Sequence, residues 1–310
     1  GEKLRIDTVI VTGNKVTKES VILKELSFTA GDSITTEIID FNKNRIYSTG
    51  LFTKVEEFLY IQNDKVVIDF NLNERWYLFP YPIVGIKDRD WDKFYYGLGV
   101  AHINFLGLNQ KLFGSFALGY DPMVNLHYFN PDFFRKDIMF DLLLIHSKTK
   151  NKSLFSGKET KDFYEYWYNA QISIGNRLDI FKTLWVSFGY NQIKVTEKNL
   201  NKTITESGKD EYLSLNLSGE LNTKDLNEYP MKGEHISIAV KKCGFGESEV
   251  DYSNLWIDLR KYIPIISNWS IGFRGFTGLT FGNRLPNYYH YFIGYSERVR
   301  GEFSKILEGE

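Results

Sequence analysis

The residues best suited to specific chemistry stand near the end of the chain, in "GYSERVRGEFSK" (residues 294–305). They are Val299, Arg300 and Gly301, with further cations at Arg298 and Lys305. A guanidinium stays charged at any relevant pH, and its planar fork of donors meets a carboxylate bidentately or lies against an aromatic face. Gly301 lets the backbone turn tightly beside it. The chemistry implied is docking of a loop. No nucleophile elbow, phosphate loop, H-E-x-x-H or cysteine pair accompanies it. The five histidines, His102, His127, His146, His235 and His290, are scattered, four in extended segments and one in the last loop. They read as wall residues, and neither a metal nor another cofactor is expected. Cys243 stands alone, which excludes an intrachain disulfide framework, and it reads as a small wall residue. With 38 Lys+Arg against 39 Asp+Glu, nothing suggests a nucleic-acid partner.

The elements that must position these residues are extended. From Tyr77 onward, alternating runs are separated by polar turns. "YEYWYNAQISIG" puts Tyr164, Tyr166, Tyr168, Ala170, Ile172 and Ile174 on one face, with Glu165, Asn169, Gln171 and Ser173 on the other. Eleven strands are predicted, at 77–87, 94–106, 110–120, 123–130, 137–147, 163–175, 182–195, 211–222, 233–243, 250–262 and 268–282. Alternation suits a wall between lipid and a wet interior, and equally a soluble sandwich. Loop lengths favour the first. Every second connection is mostly brief ("LGLNQ", "NPDFFRK", "NRLDIF", "NTKDLNEYPMKG", "PIISN"), whereas several others are long and polar, notably "SKTKNKSLFSGKETKD". Segregation of loop lengths by parity is the habit of outer-membrane barrels. Asp225 sits in one of the brief connections and is expected to fix that turn. An aromatic content of 16% suits such a wall, and no segment approaches the roughly 18 apolar residues of a membrane-spanning helix.

Residues 3–75 read differently, as a compact unit in the order β-α-α-β-β. A strand in "KLRIDTVIVTGN" ends at Gly13-Asn14. A helix in "TKESVILKEL" carries Val21, Ile22, Leu23 and Leu26, with Thr17 as its N-cap. A break at Gly31 precedes a second helix that ends at Gly50, and two strands joined by a turn at Asn63-Asp64 follow.

This first unit resembles a POTRA domain, on Gly13 and Asn14 after the first strand, Gly31 between the helices, Gly50, Leu51 and Phe52 at the second strand, and Glu74 closing the third. Further on, "INFLGLNQKLFGSFALGY", "LHYFNPDFF", "NTKDLNEYPMKGEHISIAV" and "LPNYYHYFIGYSERVRGE" resemble BamA-type barrels, in a superfamily with TamA-like proteins, two-partner secretion transporters and patatin-linked barrels. The resemblance implies a fold class of α+β POTRA domain (residues 1–76) followed by an antiparallel transmembrane β-barrel (residues 77–310), with about eleven of an expected sixteen strands present. On this view the chain is a fragment that stops after the sixth extracellular loop, 283–310. That loop folds into the lumen and carries a motif matched by Val299, Arg300 and Gly301. Glu302 departs from the motif, where an aromatic is usual; either Phe303 supplies the ring or the tip docks differently.

The function implied is insertion or translocation of outer-membrane proteins without catalysis, in the bacterial outer membrane, with the POTRA domain in the periplasm. Unfolded client proteins, outer-membrane lipids and periplasmic or lipoprotein accessory subunits are the implied partners. The first barrel strand would form one side of a weak seam, and Pro80 and Pro82, each lacking a ladder donor, suit a poorly paired edge. Two alternatives stay open at this point: the anchor or export portion of a patatin-type lipase, whose catalytic residues this sequence does not supply, and a passive pore.

Overall fold

The computed structural model describes residues 3–86, 91–134, 137–150, 164–196, 203–245, 249–266, 269–284, 286–289, 291–293 and 307–309. In the N-terminal domain, β1 (Leu4–Arg5) pairs with β3 (Ser33–Ile34). β2 (Thr8–Thr12) runs parallel to β5 (Lys65–Glu74), which pairs antiparallel with β4 (Phe52–Gln62). Two helices, α1 (Glu19–Leu23) and α2 (Thr36–Ser48), pack on this sheet through Ile22, Ile39 and Ile46 against Ile68, Phe70 and Leu72. The spacing of Ile39, Asn42 and Ile46 keeps one stripe of α2 inward. Asn42 is tolerated there because Ser27 and the Ile38 carbonyl satisfy its amide. The expected β-α-α-β-β order is present, with two short strands added. Gly13 has φ +81°, and a Cβ there would stand 2.1 Å from the Leu72 carbonyl oxygen, so only glycine lets the chain leave β2 this close to β5.

One expectation is corrected. Thr17 is not the N-cap of α1: the helix starts at Glu19 after Lys18, with no side-chain cap. Leu26 lies beyond the helix end, yet still packs against the core.

The rest of the described chain is one large sheet. Its strands are β6 (Leu78–Ile86), β7 (Phe94–Phe105), β8 (Gln110–Gly119), β9 (Met123–Phe133), β10 (Ile138–Lys150), β11 (Tyr164–Arg177), β12 (Lys182–Val195), β13 (Lys209–Asn222), β14 (Gly233–Cys243), β15 (Asp251–Ile266) and β16 (Trp269–Arg284). All eleven pair antiparallel with their sequence neighbours, and β6 and β16 lie at the two edges. The expected strands are there; β9 runs on to Phe133 because it keeps pairing with β10 across a bulge. After β16 come a single helical turn, Asn287–Tyr289, and a ribbon pairing β17 (Tyr291–Ile293) with β18 (Leu307–Gly309).

The two faces of the sheet invert the pattern of a soluble protein. Ser187 (5%), Asn191 (8%) and Asn254 (1%) are buried on the inner face, while Phe188 (61%), Leu213 (58%) and Ile174 (54%) stand bare on the outer face. A sandwich would cover that apolar face with a second sheet, and none does so among the described residues. An apolar surrounding is the environment that suits it. The sheet also curls. Phe129 on β9 and Trp185 on β12 have ring centroids 6.2 Å apart, whereas a flat sheet would hold strands three positions apart at roughly 14 Å.

Candidate functional site: the domain junction and the open edge

The N-terminal domain sits on the end of the sheet that carries the short turns, here the near end. Val16 and Thr17 donate their backbone N–H groups to the Glu74 carboxylate (2.6–3.1 Å), which fixes the chain as it leaves Gly13. Asn14 supports the same bend by donating to the Thr17 carbonyl at 3.0 Å. The Thr17 hydroxyl thereby meets the Tyr77 hydroxyl (2.9 Å) and accepts from Asn104 of β7 (2.9 Å). Burial pushes the Tyr77 phenol up to about 12, so it stays protonated at neutral pH. Alongside, the Lys18 N–H donates to the Gly107 carbonyl at 2.9 Å.

Charge joins the two parts at Glu25, just past α1. Its carboxylate accepts two bonds from Arg177 at the end of β11 (2.8 and 2.9 Å) and one from Arg45 of α2 (2.7 Å). All three side chains are largely buried. Burial alone would raise the Glu25 pKa; the two guanidiniums outweigh it and hold the carboxyl below its ordinary value. Its neighbour Lys24 reaches Asp132 (2.7 Å) and Asp137 (3.1 Å) at the β9–β10 turn. Asn227, in the β13–β14 turn that Asp225 closes by accepting from Met231 and Lys232, donates its N–H to Ser48. The domain thus touches four successive turns. Between α2 and the inner face lies a cavity of about 260 Å³ lined by Arg45, Lys111, Arg177, Glu220 and Lys224, and beside α1 opens a cleft of about 790 Å³.

β6 starts at this junction, and its direction of bonding is readable. Ile103 donates to the Tyr77 carbonyl (2.9 Å), and the register sets Leu78 opposite His102. In an antiparallel pair both backbone groups of a residue point to the same side. Odd-numbered residues of β6 therefore bond β7, and even-numbered ones face the open edge. Pro80 and Pro82 are even-numbered. The donors they lack belong to the open edge, and the β6–β7 ladder is whole. On the inner face Tyr81 lies across Gly99 and Tyr95 across Gly85; a Cβ on Gly99 would come 2.1 Å from the Tyr81 ring. An aromatic side chain over a cross-strand glycine is a recognised device for steadying a strand.

At the far end, Asp210 of β13 is fully buried and accepts from the N–H groups of Ile204 and Thr205 and from the Tyr288 hydroxyl, each at 3.0 Å. Tyr288 also meets Trp167 of β11 edge-on at 5.4 Å, so the segment after β16 reaches back over the inner face. Cys243 is buried with Tyr212, Val250 and Tyr252 close by.

Of the residues singled out by sequence, Gly13, Asn14 and Glu74 gather at the junction. Gly31 and Gly50 lie at positive φ beside the domain core that contains Leu51 and Phe52, and Pro80 and Pro82 lie on the open edge. Val299, Arg300 and Gly301 fall outside the described residues, as does His290. His102, His127, His146 and His235 lie in strands, His127 paired with Asp141 and His235 with Glu220. Sequence reasoning missed Lys24, Glu25, Arg177, Asp210 and Tyr288. A carboxylate inside an otherwise apolar helical repeat was the available sign for Glu25.

Comparison with known proteins places this arrangement. A family model described as the Omp85 superfamily domain matches residues 104–306, and one described as the surface antigen variable number repeat, POTRA, matches residues 4–75. Among solved structures, BamA from Haemophilus ducreyi lacking POTRA domains 1–3 is similar at 20% identity, with a TM-score of 0.55 over 97% of this chain and 60% of that one. CdiB from Escherichia coli is similar at 9% identity, with a TM-score of 0.63 over 98% and 59%. CdiB from Acinetobacter baumannii gives 13%, 0.53, 98% and 58%. The chain therefore spans about three-fifths of each of these structures, and at such identities the likeness is one of fold. The inside-out sheet, the domain seated on its turns and the two family matches lead to one conclusion: the chain belongs to the Omp85 superfamily, as a POTRA domain followed by β-barrel strands.

Proposed function

We propose that this protein serves as an insertion or translocation factor for other proteins at the bacterial outer membrane, with its POTRA domain on the periplasmic side and no catalytic step. The observation that carries the reading is the seating of a POTRA domain on the turns of a sheet whose outer face is bare and apolar. An exposed edge receives an extended polypeptide through main-chain hydrogen bonds with little demand on side chains, which suits many different clients. The POTRA sheet offers edges of its own at β2 and β4. Unfolded outer-membrane proteins are the partners this geometry fits, lipids border the apolar outer face, and accessory subunits have the periplasmic surface of the POTRA domain open to them. Depleting the protein from its host should lower the amount of folded barrel proteins, or of one exported substrate, in or beyond the outer membrane. Unchanged levels of both would sink the proposal.

A further inference from the structure

The outer face of the wall changes character along its length, and the strand register locates the change. Leu142, Ile172, Phe188 and Leu215 lie side by side on β10 to β13, an apolar row midway along the strands. Further toward the far end the row is His146, Tyr168, Gln192 and Glu211, and the Tyr190 hydroxyl below donates to Glu211 at 2.7 Å. The next row is Lys148, Tyr166, Lys194 and Lys209. Alternate residues of a strand share a face, so all three rows lie on the side of the bare apolar residues. A belt of aromatic residues marks the level where hydrocarbon gives way to head groups, and the lysine row stands at its far edge. These cations are not all neutralised by the wall. Lys209 pairs with Glu211. Lys148 holds its ammonium 4.1 Å from the centre of the Tyr164 ring and 5.6 Å from that of Tyr166, contacts that position a charge without cancelling it. Among the described residues, neither Lys148 nor the exposed Lys194 has a carboxylate partner. At the near end of β12, by contrast, Lys182 is matched by Asp179 at 3.2 Å.

Taking as given the reading that the POTRA domain marks the periplasmic side, we infer that Lys148, Tyr166 and Lys194 form a docking site for a phosphate-bearing lipid head group in the opposite, outer leaflet. The charges are complementary: ammonium and phenol groups donate, and phosphate oxygens accept. Two strand spacings, roughly 10 Å, separate the Lys148 and Lys194 backbones, and Tyr166 stands between them. Two flexible lysine stems bridge that gap onto one head group. The acyl chains of the same lipid run down over Tyr168 and Ile172, so one molecule spans the cationic row and the apolar band.

The test uses the full protein in phosphatidylcholine bilayers containing a small fraction of diphosphorylated lipid A, with the lipid retained by the protein counted by native mass spectrometry. The unaltered protein should hold this lipid about thirtyfold more tightly than the same glycolipid stripped of its phosphates, the factor for two lysines at a charged head group. Lys148→Gln/Lys194→Gln should lose about the same factor, whereas Lys182→Gln at the near end should bind as the unaltered protein does. Equal retention with and without phosphates overturns the inference, and that comparison requires no variant to assemble. Equal weakening by Lys182→Gln would assign the effect to net charge and also overturn it. So would displacement of the lipid by millimolar inorganic phosphate, which would make this a site for the free ion. Sidedness is read separately. Ser207→Cys, in the exposed β12–β13 turn, should take an impermeant maleimide on intact cells. Labelling only after the membrane is breached would refute the periplasmic placement of the POTRA domain and the choice of leaflet, while lipid retention still decides the site.

Discussion

Removing the Glu25 carboxylate should unseat the POTRA domain. In Glu25→Ala the guanidiniums of Arg45 and Arg177 are left facing one another across the junction, with side chains only 13% and 19% exposed. Breaking a buried pair by deleting one partner costs about 3 kcal/mol at the lower end of the usual range, which corresponds to about a hundredfold rise in the unseated fraction. Glu25→Gln keeps the shape and loses the charge, and should give a rise of about tenfold. A cysteine in place of Thr17, whose site is 2% exposed, reports the unseated fraction through its alkylation by a water-soluble maleimide. The native Cys243 is fully buried and adds little background. The pH response follows from the depressed pKa of Glu25. Its contribution is complete above the ordinary carboxyl value of 4.5 and is lost as pH falls through the lower value it has when seated. Alkylation should thus be flat, after correction for thiolate content, from pH 7 down to about that value, and rise below it, with no such rise in Glu25→Gln. Alkylation of Glu25→Ala within twofold of the unaltered protein would refute the reasoning.

Three further outcomes are expected. Gly99→Ala forces Tyr81 off its glycine at a cost of about 1–3 kcal/mol, seen as a lower temperature for the loss of compact migration on gels; pairing it with Tyr81→Ala should restore most of that loss. Asp210→Ala deprives Ile204, Thr205 and Tyr288 of their acceptor, so the Ile204 and Thr205 amides should exchange severalfold faster, with a smaller effect from Tyr288→Phe, which removes one bond; equal exchange in all three proteins would rule the anchor out. Ile172→Arg on the outer face should destabilise the protein in liposomes by about 2–4 kcal/mol, while Gln171→Arg on the inner face should be tolerated. Similar denaturation midpoints for those two would contradict the assignment of faces.

Much of the architecture was legible because a strand writes its period into the sequence locally. Tyr168, Ile172 and Ile174 against Asn169, Gln171 and Ser173 reveal two faces without knowledge of any partner, and brief turns such as "LGLNQ" reveal which strands are neighbours. The junction was less legible. Arg177 meets Glu25 across 152 residues, and Lys24 meets Asp132 across 108, so no window of sequence holds both partners. Thr17 has the composition of an N-cap, but its hydroxyl has a stronger use at Tyr77 and Asn104 than at the end of a five-residue helix. Pro80 and Pro82 announced an edge strand. Which side of the strand lost its donors depended on register, which only the bond from Ile103 to Tyr77 settles. Asp210 reads as one more charge in "GKDEYLSL", and its burial follows from a tyrosine 78 residues further on.

The strictly sequential pairing of the large sheet also sets an order of events during folding. Each strand adds to the one before it, so each closure involves a single short or moderate loop, whose entropic cost grows slowly with length. Contacts that span long stretches of chain come at greater entropic cost and form late. By that logic the hairpins from β6 to β16 knit together first, Tyr288 then closes on Asp210, and the ion pairs of Glu25 and Lys24 lock last. A chain caught just before that final step would show native amide protection along its strands while Arg177 and Asp132 remain in water. The late-forming lock makes the seating of the POTRA domain a check on whether the wall beneath it has been built in the correct register.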